Sequence, residues 1–152
     1  MTKGFTSGMR TSLDGTWTTP RDYFDKVNAE FNFTLDAAAL SSSTLVPDNW
    51  YGPDHPDQSR RDALVRNWTE DSTGPIWLNP PYGRVIKDWM RKANEESMRG
   101  ATVVCLVPAR TDTAWWHDYC IDAYEIRFIR GRLKFGNQPN SAPFPSALVI
   151  MK

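Results

Sequence analysis

Apolar and polar positions along the chain follow first one period and then another. Residues 1–16 (MTKGFTSGMRTSLDGT) show no regular apolar spacing and are rich in Gly, Ser and Thr, which predicts a flexible N-terminal arm ahead of a domain spanning 17–152. In TTPRDYFDKVNAEF, Phe24, Val27 and Phe31 fall on one helical stripe. Thr19 stands at the cap, Pro20 at the first helical position and Asp22 where a capping box closes. FNFTLDAAA reads as a short strand ending at Asp36. From Leu40 to Gly74 the period dissolves into turn chemistry (PDNWYGPDHPDQSRR), long for an idle connection, with one helical turn expected at RRDALVRNW. PIWLN is a compact apolar strand. RVIKDWMRKANEESMRG follows as an amphipathic helix, with Val85, Ile86, Trp89, Met90 and Ala93 on one side and Gly100 at its end. ATVVCLVPA is a continuous apolar run of the kind covered on both faces. TDTAWWHDYCIDA predicts a short helix, and YEIRFIRGRLKF and PSALVIMK predict two strands.

This order predicts an α/β fold with a mainly parallel sheet in one compact domain. Two closing strands without a helix between them imply an antiparallel C-terminal strand, expected at one edge. Ligands of such sheets sit beyond the carboxyl ends of the strands. Asp36, Asn79–Tyr82 and Pro108–Arg110 should therefore share a rim.

Composition adds three points. Seven Trp and eleven Pro in 152 residues are high, and favour aromatic surfaces and stiff loops. No apolar leader and no run of membrane-spanning length is present, and Cys105 and Cys120 have no metal spacing. They read as buried free thiols of a cytoplasmic protein. Net charge is zero, yet residues 1–83 hold 7 Lys+Arg against 11 Asp+Glu (−4), and residues 84–152 hold 11 against 7 (+4). That asymmetry permits a one-sided electropositive face.

The chemistry concentrates in GPIWLNPPYGRV. Proline donates nothing to a ladder, so the strand must stop at Asn79, which Pro80 holds extended. Asn79, Pro80, Pro81 and Tyr82 then form a stiff loop presenting carbonyls, an amide oxygen and a ring. Such a loop suits a flat heterocycle with an exocyclic amine. An amine facing an already activated electrophile needs no general base, metal or nucleophilic side chain, and the sequence offers no convincing triad or metal cluster.

NPPY after a strand resembles the catalytic motif of S-adenosylmethionine-dependent amino-methyltransferases. The chain as a whole resembles the small, largely phage-encoded DNA N6-adenine methyltransferase (Dam) family. The pieces WTTP (17–20), FTLDAAA (33–39), DAL (62–64), IWLNPPYG (76–83), LVPARTDTAWWH (106–117), GRLKF (131–135) and APFPSALVI (142–150) run in the family's order and cover almost everything after residue 16. The resemblance implies a Rossmann-like class I methyltransferase sheet and a flipped adenine in double-stranded DNA as acceptor. Asn79 through its amide oxygen and Pro80 through its carbonyl would accept from the adenine amino group, and Tyr82 would stack on the base. Thr19 and Pro20 match a cofactor-side element, although a plain helix cap explains them equally. Asp36 would touch the ribose or methionine part of the cofactor, and Asp62 its adenine; a turn-forming Asp36 and a solvated Asp62 are the plain alternatives. One departure from the general fold is that DAAALSSS has no glycine after the first strand.

Arg127, Arg130, Arg132 and Lys134 place four positive charges in eight residues, and in an extended segment the last three share a face suited to phosphates. A solvated edge strand protected by charge reads the pattern equally well. Arg110 is the stronger rim residue. His55 and His117 are expected to carry no chemistry, and Trp115–Trp116 is expected to be packing. A methyltransferase sheet uses most of the length, so sequence choice must come from residues 40–75, the basic segment or a second subunit, which leaves room for a homodimer. The competing readings are methylation of a protein glutamine or an RNA adenine, and a catalytically silent DNA- or cofactor-binding module.

Overall fold

The computed structural model describes residues 17–152, and the arm expected at 1–16 lies outside the described residues. Helix α1 spans Arg21–Phe31 and leads into strand β1, Leu35–Asp36. Two 3-10 turns (Gln58–Arg60 and Ala63–Val65) and the short helix α2 (Trp68–Asp71) occupy the long connection to β2, Ile76–Leu78. Helix α3 (Ile86–Met98), β3 (Val103–Pro108), a π-helical turn (Trp116–Cys120), β4 (Glu125–Phe128) and β5 (Ser146–Met151) complete the chain.

The five strands make one sheet in the order β1-β2-β3-β5-β4. β1, β2 and β3 pair in parallel, with Leu35 opposite Ile76 and Leu78 opposite Cys105. β5 pairs antiparallel with both β3 and β4. The sheet is therefore mixed, parallel over β1–β3, with the expected antiparallel C-terminal strand, but that strand is not at an edge. β5 inserts between β3 and β4, and β4 takes the edge. The reason lies in burial: all six residues of SALVIM are buried, whereas Glu125–Phe128 are half-buried or exposed. A strand that is buried at every position, and apolar at all but Ser146, belongs in the interior of a sheet.

Covering the sheet explains much of the aromatic content. Phe24 of α1 meets Trp77 edge-to-face at 5.2 Å between centroids, and Phe33 packs against both rings. Ile86, Met90 and Ala93 of α3 are buried, while Val85, expected on the same face, is 45% exposed just before the helix begins. Gly100 adopts φ +106° past the end of α3, the left-handed cap that favours glycine. Cys105 and Cys120 are buried and free, as expected, and burial pushes both thiols up, Cys120 to about 12. Trp115 and Trp116 are packing residues, with Trp116 stacked on Phe128.

Two expected elements differ in form. The strand anticipated over YEIRFIRGRLKF stops at Phe128; after the backbone turns at Gly131 (φ +78°), the segment continues without a ladder. The capping box at Thr19–Asp22 does not form. Pro20 takes the cap position, and no side chain caps the helix. Thr19 turns its hydroxyl to Asn79 instead.

Candidate active site

The carboxyl ends of β1 and β2 and the segment ahead of α1 meet around one cavity of about 250 Å³. Thr19, Asp36, Asp62, Asn79 and Pro81 all line it, so five of the residues singled out in the sequence share a wall. Pro80, Tyr82 and Pro108–Arg110, expected on the same rim, do not line it; Pro20 is also absent from that wall and instead receives the Phe24 N–H on its carbonyl.

Asn79 is placed by the strand stop that Pro80 and Pro81 impose. Its amide nitrogen donates to the Trp17 carbonyl and, at 2.9 Å, to the Thr19 hydroxyl. Its amide oxygen is buried and has no partner. A buried acceptor left unpaired costs about 1–3 kcal/mol, so it calls for an explanation beyond packing. An incoming N–H donor supplies one.

Asp36 repeats the pattern at the end of β1. Its Oδ2 accepts from the Leu45 N–H at 2.9 Å and the Thr44 hydroxyl at 3.3 Å, while Oδ1 is buried without a partner. Burial pushes its carboxyl up to about 7, against the pull of those hydrogen bonds. Asp62 uses Oδ1 to cap the turn at Ala63–Val65, accepting from the Leu64 N–H at 3.0 Å.

Tyr82 is 5% exposed and donates its hydroxyl to the Leu106 carbonyl at 3.0 Å. Trp17 lies on its ring at 6.2 Å and 22°, and Phe135 and Phe144 meet it edge-on. The Arg110 guanidinium sits over Phe144, 5.6 Å from the centroid. Arg130, Arg132 and Lys134 are all exposed on the approach to Phe135. Arg127, the fourth charge of that run, is instead clamped by Glu30 and Glu125. His55 accepts from the Asp57 N–H, and His117 lies against the Thr111 carbonyl, both away from the cavity.

The sequence profile of the DNA N-6-adenine-methyltransferases (Dam) matches residues 6–151. The chain belongs to the Dam family. It is 30% identical to the DNA N-6-adenine-methyltransferase of Haemophilus phage HP1 over 90% of its own length and 78% of that protein. It is also 30% identical to the enzyme of the same name from Escherichia phage T1, over 77% of its length but only 45% of the T1 protein. The chain thus spans under half of one relative and most of the other.

In this Dam-family chain DAAALSSS has no glycine, and Gly52 from the long connection lies beside β1 on the cavity wall. Residues 49–52 run beside β1, linked by Asp36 N–H to the Asn49 carbonyl, Tyr51 N–H to the Asp36 carbonyl and Ala39 N–H to the Tyr51 carbonyl. Gly52 passes so close that a Cβ there would stand 1.8 Å from the Ala39 oxygen. Sequence reasoning looked for a glycine next to β1 and missed this one, although WYGP inside an over-long loop was a visible signal. Trp17 was also missed as a site residue, because its role comes from its backbone carbonyl and its ring position.

Proposed function

We propose that this Dam-family chain transfers the methyl group of S-adenosylmethionine to the N6 amino group of adenine in double-stranded DNA. The observation that carries this reading is the unpaired, buried amide oxygen of Asn79, in the NPPY loop, on the cavity it shares with Asp36. The sheet is read as the Rossmann-like class I methyltransferase sheet, with its antiparallel strand one place in from the edge. A DNA substrate locates the activity in the cytoplasm of a bacterial host.

The cavity suits the cofactor by its donor set. Asp36 offers an unpaired carboxylate oxygen to a hydroxyl or an ammonium group, and Asp62 stands on the same cavity. Tyr51, Leu45 and Trp89 supply apolar wall for a flat heterocycle. When bound there, S-adenosylmethionine supplies a methyl group made electrophilic by a positively charged sulfur.

The chain's own residues then position the acceptor. Asn79 Oδ1 and the Pro80 carbonyl accept the two N–H groups of the adenine amine, turning its lone pair toward the cavity and stabilising the positive charge that grows on nitrogen. The adenine leaves the duplex to reach them and lies against Tyr82, on the face where the Trp17 ring now rests, so that ring swings aside. The Trp17–Thr19 backbone stays in place, because Gly136 N–H donates to the Thr18 carbonyl at 2.8 Å and Thr18 N–H donates to Asn137 at 3.0 Å. Arg110, Arg130, Arg132 and Lys134 contact phosphates around the opening.

The test is mass-spectrometric nucleoside analysis of unmethylated duplex DNA after incubation with protein and S-adenosylmethionine. We expect N6-methyladenine that disappears in Asn79→Ala. Cofactor binding without any modified base would sink this reading and favour another amino acceptor or a silent binding module.

A further inference from the structure

We propose that Thr19, together with the Trp17 carbonyl, is the positioning element that fixes the polarity of the Asn79 amide. The inference rests on the reading of Asn79 as acceptor of the target amine and concerns what makes it an acceptor. A side-chain amide has two donor hydrogens and one acceptor oxygen, and either end can in principle face the cavity. Here both hydrogens are taken. One goes to the Trp17 carbonyl and one to the Thr19 hydroxyl.

The Trp17 carbonyl decides the orientation. It is an acceptor only, so a rotated amide would set oxygen against oxygen and leave its NH₂ without partners. Thr19 completes the arrangement and is 7% exposed, which keeps water from substituting for it. Donation by the NH₂ group also polarises the amide and makes its oxygen a stronger acceptor. The result is an unpaired Oδ1, aimed by the partners of the amide nitrogen.

This assigns Thr19 a task other than holding a helix end or a cofactor. No side chain caps α1, so the hydroxyl is not used for capping. Pro20, the neighbour that shares the motif, does not line the cavity. The anchoring of Thr18 to Gly136 and Asn137 ties the segment that carries both acceptors to residues 136–137. The WTTP and NPPY segments, 60 residues apart at Thr19 and Asn79, then act as one unit.

The experiment compares Thr19→Val, which keeps the shape and removes the acceptor, with Thr19→Ser, which restores it. Both are read by kcat on saturating duplex DNA and cofactor, by calorimetric S-adenosylmethionine binding, and by the Asn79 side-chain NH₂ resonances in a ¹H–¹⁵N spectrum. Thr19→Val should lower kcat about tenfold, the loss of one buried hydrogen bond. Its cofactor Kd should change far less than kcat, and Thr19→Ser should recover the rate. In wild type and Thr19→Ser both amide protons should be protected from exchange, and in Thr19→Val one should be released. A Thr19→Val protein with unchanged kcat and weakened cofactor binding would overturn the assignment. So would free exchange of both Asn79 amide protons in the wild type. A wild type that methylates no DNA overturns the reading under Proposed function, and the amide spectrum still decides the positioning role.

Discussion

Asp36 shows how much one side chain can set. Its carboxyl titrates at about 7 because burial penalises the charge more than Leu45, Ala38 and Thr44 stabilise it. In the unfolded chain it titrates near 3.8, so between about pH 4 and pH 7 the folded protein holds a proton that the unfolded chain has released. Folding takes up a proton in that window. This carboxyl therefore subtracts stability as pH rises from 4 to 7 and changes nothing further above it. Asp36→Asn should remove that loss, so urea midpoints of variant and wild type should coincide near pH 4 and separate in the variant's favour by pH 8. A difference between them that stays constant with pH would contradict the buried, protonated carboxyl. Cofactor binding should run the other way, because a hydroxyl or ammonium donor favours the ionised form. S-adenosylmethionine affinity should fall about tenfold from pH 8 to pH 6 in the wild type and stay nearly flat in Asp36→Asn.

At the scale of elements, the segment 49–52 beside β1 is the least legible part of the sequence and among the most consequential. The ends of β1 and β2 were legible because apolar runs stop at Asp36 and at Pro80, and both stops have local causes. The turn chemistry of PDNWYGPDHP hid an added parallel bridge at Trp50, because such pairing depends on partners far along the chain. The Tyr51 hydroxyl bonds Asp71, which also pairs with Arg66 at 2.7 Å and Arg60 at 3.5 Å; this ties the long connection together. The lost capping box at Thr19 has the same origin, since a partner 60 residues away outcompetes a local one. Gly52→Ala tests the cradle. Its Cβ would meet the Ala39 backbone at 1.8 Å and the Trp50 ring at 2.8 Å, so backbone must move. We expect a loss of about 1–3 kcal/mol in thermal or urea unfolding and a weakened cofactor Kd by calorimetry. Unchanged affinity would show that residues 49–52 do not shape the cofactor wall.

Across the whole molecule, charge and topology divide the work. The acidic half supplies Asp36 and Asp62 to the cavity, while the basic half sets Arg110 over Phe144 and leaves Arg130, Arg132 and Lys134 exposed on the approach to Phe135. The cation run was legible in sequence, but its division was not. Arg127 is spent on Glu30 and Glu125, whereas Arg130, Arg132 and Lys134 make no ion pair among the described residues. Past Gly131 the alternation survives without a strand, as Arg132 and Lys134 are exposed while Leu133 is half-buried and Phe135 buried. If these cations meet phosphates, Arg130→Gln with Arg132→Gln should weaken duplex binding. It should also lower the slope of log affinity against log salt by about two, one for each phosphate no longer neutralised. Cofactor affinity should not change, because neither residue lines the cavity. Arg127→Gln is the contrast: losing a clamp on two carboxylates should lower unfolding stability slightly at this exposed site, with the salt slope unaltered. Fluorescence anisotropy on labelled duplex across a salt series separates the two cases. Equal salt slopes for the double variant and wild type would return Arg130 and Arg132 to the role of a solvated, charge-protected edge.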